Sequence, residues 1–164
     1  MILDILRLRE ASNVALLGAG GKSTLQAILE RESASSSEVR GFYEVGASGG
    51  KCLKLYEPGT AVLRPGTDCA VVVAGLGALD WPVGEVCDGY ALRREWAAEP
   101  ARPCDEHMLL SVVRETLYAL PLPKERVRVL LNQADTGALH VRASDLLRAL
   151  QDEGYFAAAL SLLY

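Results

Sequence analysis

A short glycine-rich run near the start of the chain brings together residues that could bind phosphate. The apolar stretch Val14–Leu17 is followed directly by Gly18-Ala19-Gly20-Gly21-Lys22-Ser23-Thr24. Glycines adopt backbone conformations that side chains forbid, so the main-chain N–H groups of such a turn can close on phosphate oxygens. Lys22 can reach terminal phosphates, and the hydroxyl of Ser23 can be a ligand for Mg²⁺. The run therefore predicts a phosphate-binding loop.

The surroundings of this run match that prediction, although its spacing is shortened. The usual phosphate loop carries a further glycine where this chain has Leu16. Leu25, Ile28 and Leu29 recur at helical spacing after the run, which predicts a helix whose positive dipole end faces the same anion. The alternative interpretation is a glycine turn with a solvated lysine.

A second polar motif, Asn132-Gln133-Ala134-Asp135, follows an apolar segment later in the chain. GTP-binding proteins carry N-K-x-D at such a place, where the asparagine and aspartate bind the edges of guanine. Asn132 and Asp135 keep these hydrogen-bonding groups, while Gln133 replaces the lysine. A contact to a nucleotide base and a simple Asn/Asp turn both remain open.

The elements that must position these residues alternate between strand and helix patterns. Cys69–Ala74 is the clearest strand, because it is short, continuously apolar and rich in valine. The remaining predictions are helices over Ile2–Arg9, Lys22–Arg31, Asp105–Ala119 and Val141–Glu153, strands over Val14–Leu17, Val39–Val45, Arg126–Leu131 and Phe156–Leu160, and a partly helical Glu85–Ala98. This alternation predicts a single α/β domain over residues 1–164, with a mostly parallel sheet covered by helices on both faces.

Composition limits the classes of partner. The net charge of −4 and the absence of a long basic run argue against nucleic acid. The apolar runs are shorter than the roughly 18 residues that a membrane span needs, so we expect no membrane partner and a cytoplasmic location. The four cysteines form no C-x-x-C pair, which disfavours a zinc knuckle or a dithiol redox site.

Taken in order, these motifs resemble the selenium-dependent hydroxylase accessory protein family, the YqeC-like P-loop proteins. The resemblance covers most of the chain, and it implies a P-loop NTPase-like three-layer sandwich that binds ATP or GTP with Mg²⁺. It also implies a role in the maturation of selenium-dependent molybdenum hydroxylases. The implied protein partner is such a hydroxylase or one of its maturation proteins. The residues that carry it are Val14 to Thr24, Glu44, Ser48, Gly50, Lys54, Val62 to Pro65, Thr67, Asp68, Gly75 to Leu79, Pro82, Pro103 to His107 and Val129 to Asp135.

The resemblance also implies roles for two further charged residues and points to two departures. Glu44 would bind Mg²⁺ or order water, and Lys54 would neutralise a second anion. Where the family typically has Glu-Ala-Asp-Gly, this chain reads Glu44-Val45-Gly46-Ala47, so an expected aspartate is a glycine at position 46. The family further has a strand and a threonine-rich turn after the first helix, which here are reduced to the serine-rich stretch 33–37. We therefore expect a sheet that lacks one strand.

Three functions are consistent with this sequence. The first is a slow Mg²⁺-dependent ATPase or GTPase in which Lys22 neutralises phosphate charge, Ser23 binds Mg²⁺ and Glu44 orders water or the metal. The second is a binding module that holds a nucleotide or another anion without hydrolysis and serves as a scaffold or regulator; the loss of the acid at Gly46 favours it. The third is the remnant of an ATP-dependent ligase of the Mur type, whose phosphate-loop spacing is similar.

Overall fold

The structure, a computed structural model, describes residues 1–34, 40–45, 63–76, 106–133 and 142–162. Helices and strands alternate along most of these residues. In chain order they are α1 (Ile2–Ile5), β1 (Asn13–Ala19), α2 (Lys22–Ser33), β2 (Gly41–Glu44), β3 (Cys69–Gly75), α3 (Glu106–Ala119), β4 (Val127–Asn132), α4 (Ala143–Asp152) and β5 (Phe156–Ala159). None of these helices is both long enough and apolar enough to cross a lipid bilayer.

The five described strands form one parallel sheet in the order β2-β1-β3-β4-β5. In its register, Val14 of β1 pairs with Phe42 on one side and with Cys69 on the other. At the far end of the sheet, Gly75 of β3 pairs with Asn132 of β4. Because the strands are parallel, their carboxyl ends meet at one edge of the sheet. The predicted α/β class and the predominantly parallel sheet are confirmed.

Helices cover both faces of this sheet, in a three-layer arrangement. Successive side chains of a strand point to opposite faces, so β1 supplies Val14 and Leu16 to one core and Ala15 and Leu17 to the other. The first core is closed by side chains of α1 and α2, and the second by side chains of α3 and α4. Every residue of β3 is buried, which explains its continuously apolar sequence.

The amino ends of β1 and β3 are held together by one carboxylate. Asp68, which precedes β3, accepts hydrogen bonds from the main-chain N–H groups of Ser12 at 2.9 Å and Asn13 at 3.2 Å. The N–H of Asp68 in turn donates to the carbonyl of Asn13 at 3.1 Å. These contacts fix β1 against β3, and with them the position of the glycine-rich run at the opposite end of β1.

Among the described elements, the predicted boundaries lie within two residues of the observed ones except at the first helix. That helix ends at Ile5 rather than near Arg9, and Arg7 follows with a φ of 51°, outside the helical region. The buried side chains of Leu6 and Leu8 account for the apolar spacing that predicted a longer helix. The predicted partly helical stretch Glu85–Ala98 lies outside the described residues. β2 pairs directly with β1, while the loss of a strand relative to the family stays a prediction.

Candidate functional site

The candidate site lies at the carboxyl edge of the sheet, where the glycine-rich run follows β1. From β1 the chain passes through α2 to β2 on one side, and it later adds β3 on the other side of β1. This reversal of strand order is the place where ligands bind in open α/β sheets, because the flanking connections there leave on opposite faces. The topology therefore brings the run to the edge at which a ligand is expected.

The run packs so closely against β3 that side chains cannot fit at two of its positions. Gly18 has a φ of +88°, and a Cβ there would lie 2.0 Å from the carbonyl oxygen of Val73. Gly20 has a φ of +83°, and its Cβ would lie 2.5 Å from the Cα of Gly75. L-residues with side chains rarely adopt such φ angles. The glycines predicted for a phosphate loop are therefore required by this backbone even without a ligand.

The run ends at the N-terminus of α2, whose first N–H groups are directed along the helix axis toward the carboxyl edge. The N-cap residue is Gly21, with a φ of 122°, and the first bond of the helix runs from the N–H of Leu25 to the carbonyl of Gly21 at 2.8 Å. The N–H groups of residues 22–24 consequently have no acceptor within the helix. Together with the helix dipole, such groups attract anions.

Lys22, the first residue of α2, extends its side chain to the end of β2. Its Nζ donates to the carbonyl of Val45 at 3.3 Å and lies 3.9 Å from Oε2 of Glu44. The side chain is only 10% exposed. A buried ammonium is costly unless negative groups surround it, so the carbonyl and the carboxylate at the end of β2 fix this charge beside the glycine-rich run.

Glu44 contacts Ser23 as well as Lys22. The Ser23 hydroxyl donates to Oε1 of Glu44 at 2.7 Å. The other carboxylate oxygen, Oε2, is buried and accepts no hydrogen bond from the described residues. A buried carboxylate oxygen without a hydrogen-bond donor is suited to a cation, and hydroxyl and carboxylate oxygens are ligands that Mg²⁺ accepts. Ser23 and Glu44, both predicted as metal ligands, are thus brought into contact.

Asn132, at the end of β4, contacts the loop itself. Its Nδ2 donates to the carbonyl of Gly20 at 2.7 Å, and its Oδ1 accepts from the N–H of Leu162 at 2.9 Å. The residue is 3% exposed. The predicted partner in a base contact, Asp135, lies outside the described residues, so this role of the pair stays a prediction.

Of the remaining predicted site residues, Ala19 and Thr24 lie in the part of the chain that the structure describes, and Lys54 does not. Ala19 is the last residue of β1, and Thr24 lies half-buried in the first turn of α2. Lys54 and Gly46 lie outside the described residues, and the predicted second anion contact of Lys54 is untested.

Three contributors to the site were missed by the sequence reasoning. They are the Val45 carbonyl at Lys22, the close approach of Gly75 to Gly20, and the Leu162 N–H at Asn132. A glycine at the end of a buried strand is a sign of close backbone approach, so Gly75 could have been found. The two main-chain groups carry no residue-type signal. Gln133, which follows Asn132, has a φ of 59° in a region that non-glycine residues seldom adopt.

Comparison of the chain with protein-family models and with curated proteins finds no match.

Proposed function

We propose that this protein binds the phosphates of ATP or GTP, together with Mg²⁺, at residues 18–24. The observation that carries the proposal is the contact of one carboxylate, Glu44, with both the Lys22 ammonium and the Ser23 hydroxyl beside the glycine-rich run. Helix termini alone are common in proteins, whereas a largely buried lysine at the first position of such a helix is not. The combination supports an anion site with an adjoining cation.

Each group has a distinct part in this binding. The main-chain N–H groups at the start of α2 would donate to phosphate oxygens, and the Lys22 ammonium would compensate their charge. Ser23 and Glu44 would hold Mg²⁺, since the buried Oε2 of Glu44 has an unused acceptor position. When bound, Mg²⁺ neutralises charge on the phosphate oxygens.

Binding without rapid hydrolysis is the form of this function that we favour. Phosphoryl transfer depends on groups that position water and neutralise charge, and the loss of one such group commonly costs about a hundredfold in rate. Glu44 is already engaged with Ser23 and Lys22, and glycine stands at position 46, where an acid is expected from the family resemblance. A slow Mg²⁺-dependent NTPase is the alternative.

We further propose that the protein is an accessory to a selenium-dependent molybdenum hydroxylase during the maturation of that enzyme. This proposed role rests on the order of the motifs in the sequence. In that role, nucleotide occupancy would control association with the hydroxylase or its maturation proteins. Association of the purified protein with such a hydroxylase, measured with and without MgATP or MgGTP, tests it. Equal or undetectable association under both conditions would remove the role and leave the phosphate site untouched.

Calorimetric titration of the full chain with ATP and with GTP, in the presence of Mg²⁺, tests the binding itself. We expect saturable binding of at least one nucleotide. We also expect the wild type to release phosphate from the bound nucleotide no faster than Lys22→Ala does. Release well above that variant would establish the NTPase alternative, and a lack of binding by both nucleotides would reject the proposal.

A further inference from the structure

The side-chain amide of Asn132 is used at both ends by main-chain groups of the candidate site. Nδ2 donates to Gly20 in the loop, and Oδ1 accepts from Leu162 in the segment after β5. At 3% exposure, the amide is nearly closed off from solvent. Asn132 therefore joins the loop to another part of the chain.

The bond to Gly20 fixes the direction of a neighbouring donor. The structure contains no cis peptide bond among the described residues, and in a trans peptide the C=O and the following N–H point in opposite directions. A Gly20 carbonyl turned toward Asn132 therefore turns the N–H of Gly21 away from Asn132. One donor of the phosphate loop is thus oriented through this amide.

The fit between Asn132 and the loop is close. A Cβ on Gly21 would lie 2.4 Å from Nδ2 of Asn132. Glycine is consequently required at position 21 for the amide to reach Gly20. The φ of 122° is a second reason for glycine there. The side chain of Leu162 belongs to the same apolar core as Leu25 and Leu29 of α2. Asn132 thus links the loop to a segment whose Leu162 side chain lies in the core that α2 helps to close.

We propose that Asn132 is a positioning residue for the phosphate loop, acting through the Gly20 carbonyl and anchored by Leu162, and that it does not bind the nucleotide base. This inference rests on the proposed phosphate binding and goes beyond it. Nδ2 and Oδ1 could each form one further hydrogen bond, but at 3% exposure the amide offers a base almost no surface, and releasing either main-chain partner to reach one is costly. A positioning role keeps both.

Ligands with and without a base distinguish an effect of Asn132 on phosphate binding from an effect on base binding. Inorganic tripolyphosphate, MgATP and MgGTP are titrated into the wild-type chain and into Asn132→Ala, which cannot donate to Gly20 and adds no charge beside the phosphates. Asn13→Ala is the matched control, because it removes the same side-chain amide at the opposite end of β1. We expect Asn132→Ala to weaken every ligand that the wild type binds, magnesium tripolyphosphate included, by the same factor of about ten, and Asn13→Ala to change none.

Three results would overturn the inference. If Asn132→Ala weakens the nucleotides but keeps the tripolyphosphate affinity, Asn132 acts on the base. If the variant binds all three ligands like the wild type, the amide does not position the loop. If the wild type binds none of them, the proposed function fails and the inference fails with it.

A measurement on the wild type keeps the test valid if Asn132→Ala does not fold. The side-chain NH₂ protons of Asn132 are followed by NMR during addition of magnesium tripolyphosphate, which has no base. We expect slow exchange with solvent before addition and a saturable shift of this resonance during it. Rapid exchange, or a resonance that stays unchanged while the ligand binds, would overturn the positioning role.

Discussion

Ser23 and Glu44 are joined by a hydrogen bond of 2.7 Å between the first turn of α2 and the end of β2. The same carboxylate lies 3.9 Å from the ammonium of Lys22. In the unliganded site, the Glu44 carboxylate therefore contacts the residues that would bind phosphate and Mg²⁺. An incoming phosphate would meet this carboxylate as a competitor for Lys22, whereas bound Mg²⁺ would be held by the same carboxylate.

Glu44→Gln should change nucleotide affinity in opposite directions with and without Mg²⁺. With EDTA present, loss of the carboxylate removes a like charge and a competitor for Lys22, so ATP should bind several-fold more tightly. With Mg²⁺ present, loss of an anionic metal ligand should weaken MgATP several-fold. Calorimetric titrations under both conditions measure the two effects.

The control for this charge change is Glu10→Gln, since Glu10 is exposed and precedes β1 at the other edge of the sheet. It should leave affinity unchanged under both conditions. A change of the same sign with and without Mg²⁺ in Glu44→Gln would contradict the assignment of Glu44 as a magnesium ligand.

Lys22→Ala should reduce the affinity for ATP or GTP by about tenfold or more, because it removes the ammonium that compensates the phosphate charge. Lys124→Ala removes an equal charge from the turn that precedes β4, at the opposite edge of the sheet, and should have little effect. Fluorescence titration with a labelled nucleotide can compare the two variants. Equal losses in both would indicate only a general effect of net charge.

Gly20→Ala should be more destabilising than Gly154→Ala. The two glycines have nearly the same φ angle, +83° at Gly20 and +85° at Gly154. A Cβ at Gly154 would meet nothing within 4 Å, whereas a Cβ at Gly20 would lie 2.5 Å from the main chain of Gly75. Gly154→Ala should therefore cost about 1 kcal/mol of unfolding free energy from strain alone. Gly20→Ala should cost clearly more and abolish nucleotide binding. Urea unfolding gives both values, and equal costs would show that the close approach does not constrain the loop.

The Cys69 thiol should lower the stability of the protein at alkaline pH. Burial raises the pKa of this thiol above its ordinary value. A raised pKa in the folded state means that the folded chain keeps its proton while the unfolded chain releases it, so stability is constant below the unfolded pKa of about 8.5 and falls above it. Urea unfolding at pH 7.5 and pH 9.5 should show a steeper loss in the wild type than in Cys69→Ala. Parallel losses would contradict a buried, protonated thiol.

The parallel α/β sheet was predictable because local pattern and burial agree along most of the residues that the structure describes. Cys69–Gly75 is apolar at every position because helices cover both faces of β3, and this pattern has few alternative interpretations. The first helix was predicted too long because Leu6 and Leu8 are buried although Arg7 departs from helical geometry. Apolar spacing reports burial, and burial there is achieved without a helix.

The candidate site was predictable only where side-chain type carries the information. Glycines followed by Lys22 and Ser23 indicate a phosphate loop from the sequence alone, and Glu44 was assigned as their partner through the family resemblance. The contacts of Asn132 could not be predicted, because its partners are the carbonyl of Gly20 and the N–H of Leu162. Main-chain groups are the same in every residue, and only the folded chain reveals which of them a side chain reaches.

The proposed phosphate ligands are main-chain N–H groups of the glycine-rich run and of the start of α2. ¹H–¹⁵N NMR of the full chain observes these groups one by one during addition of magnesium tripolyphosphate. We predict saturable shifts that are largest at the N–H groups of Gly20, Gly21, Lys22 and Ser23, and much smaller shifts in Lys22→Ala. Shifts confined to other parts of the chain, or none at saturating ligand, would contradict the account.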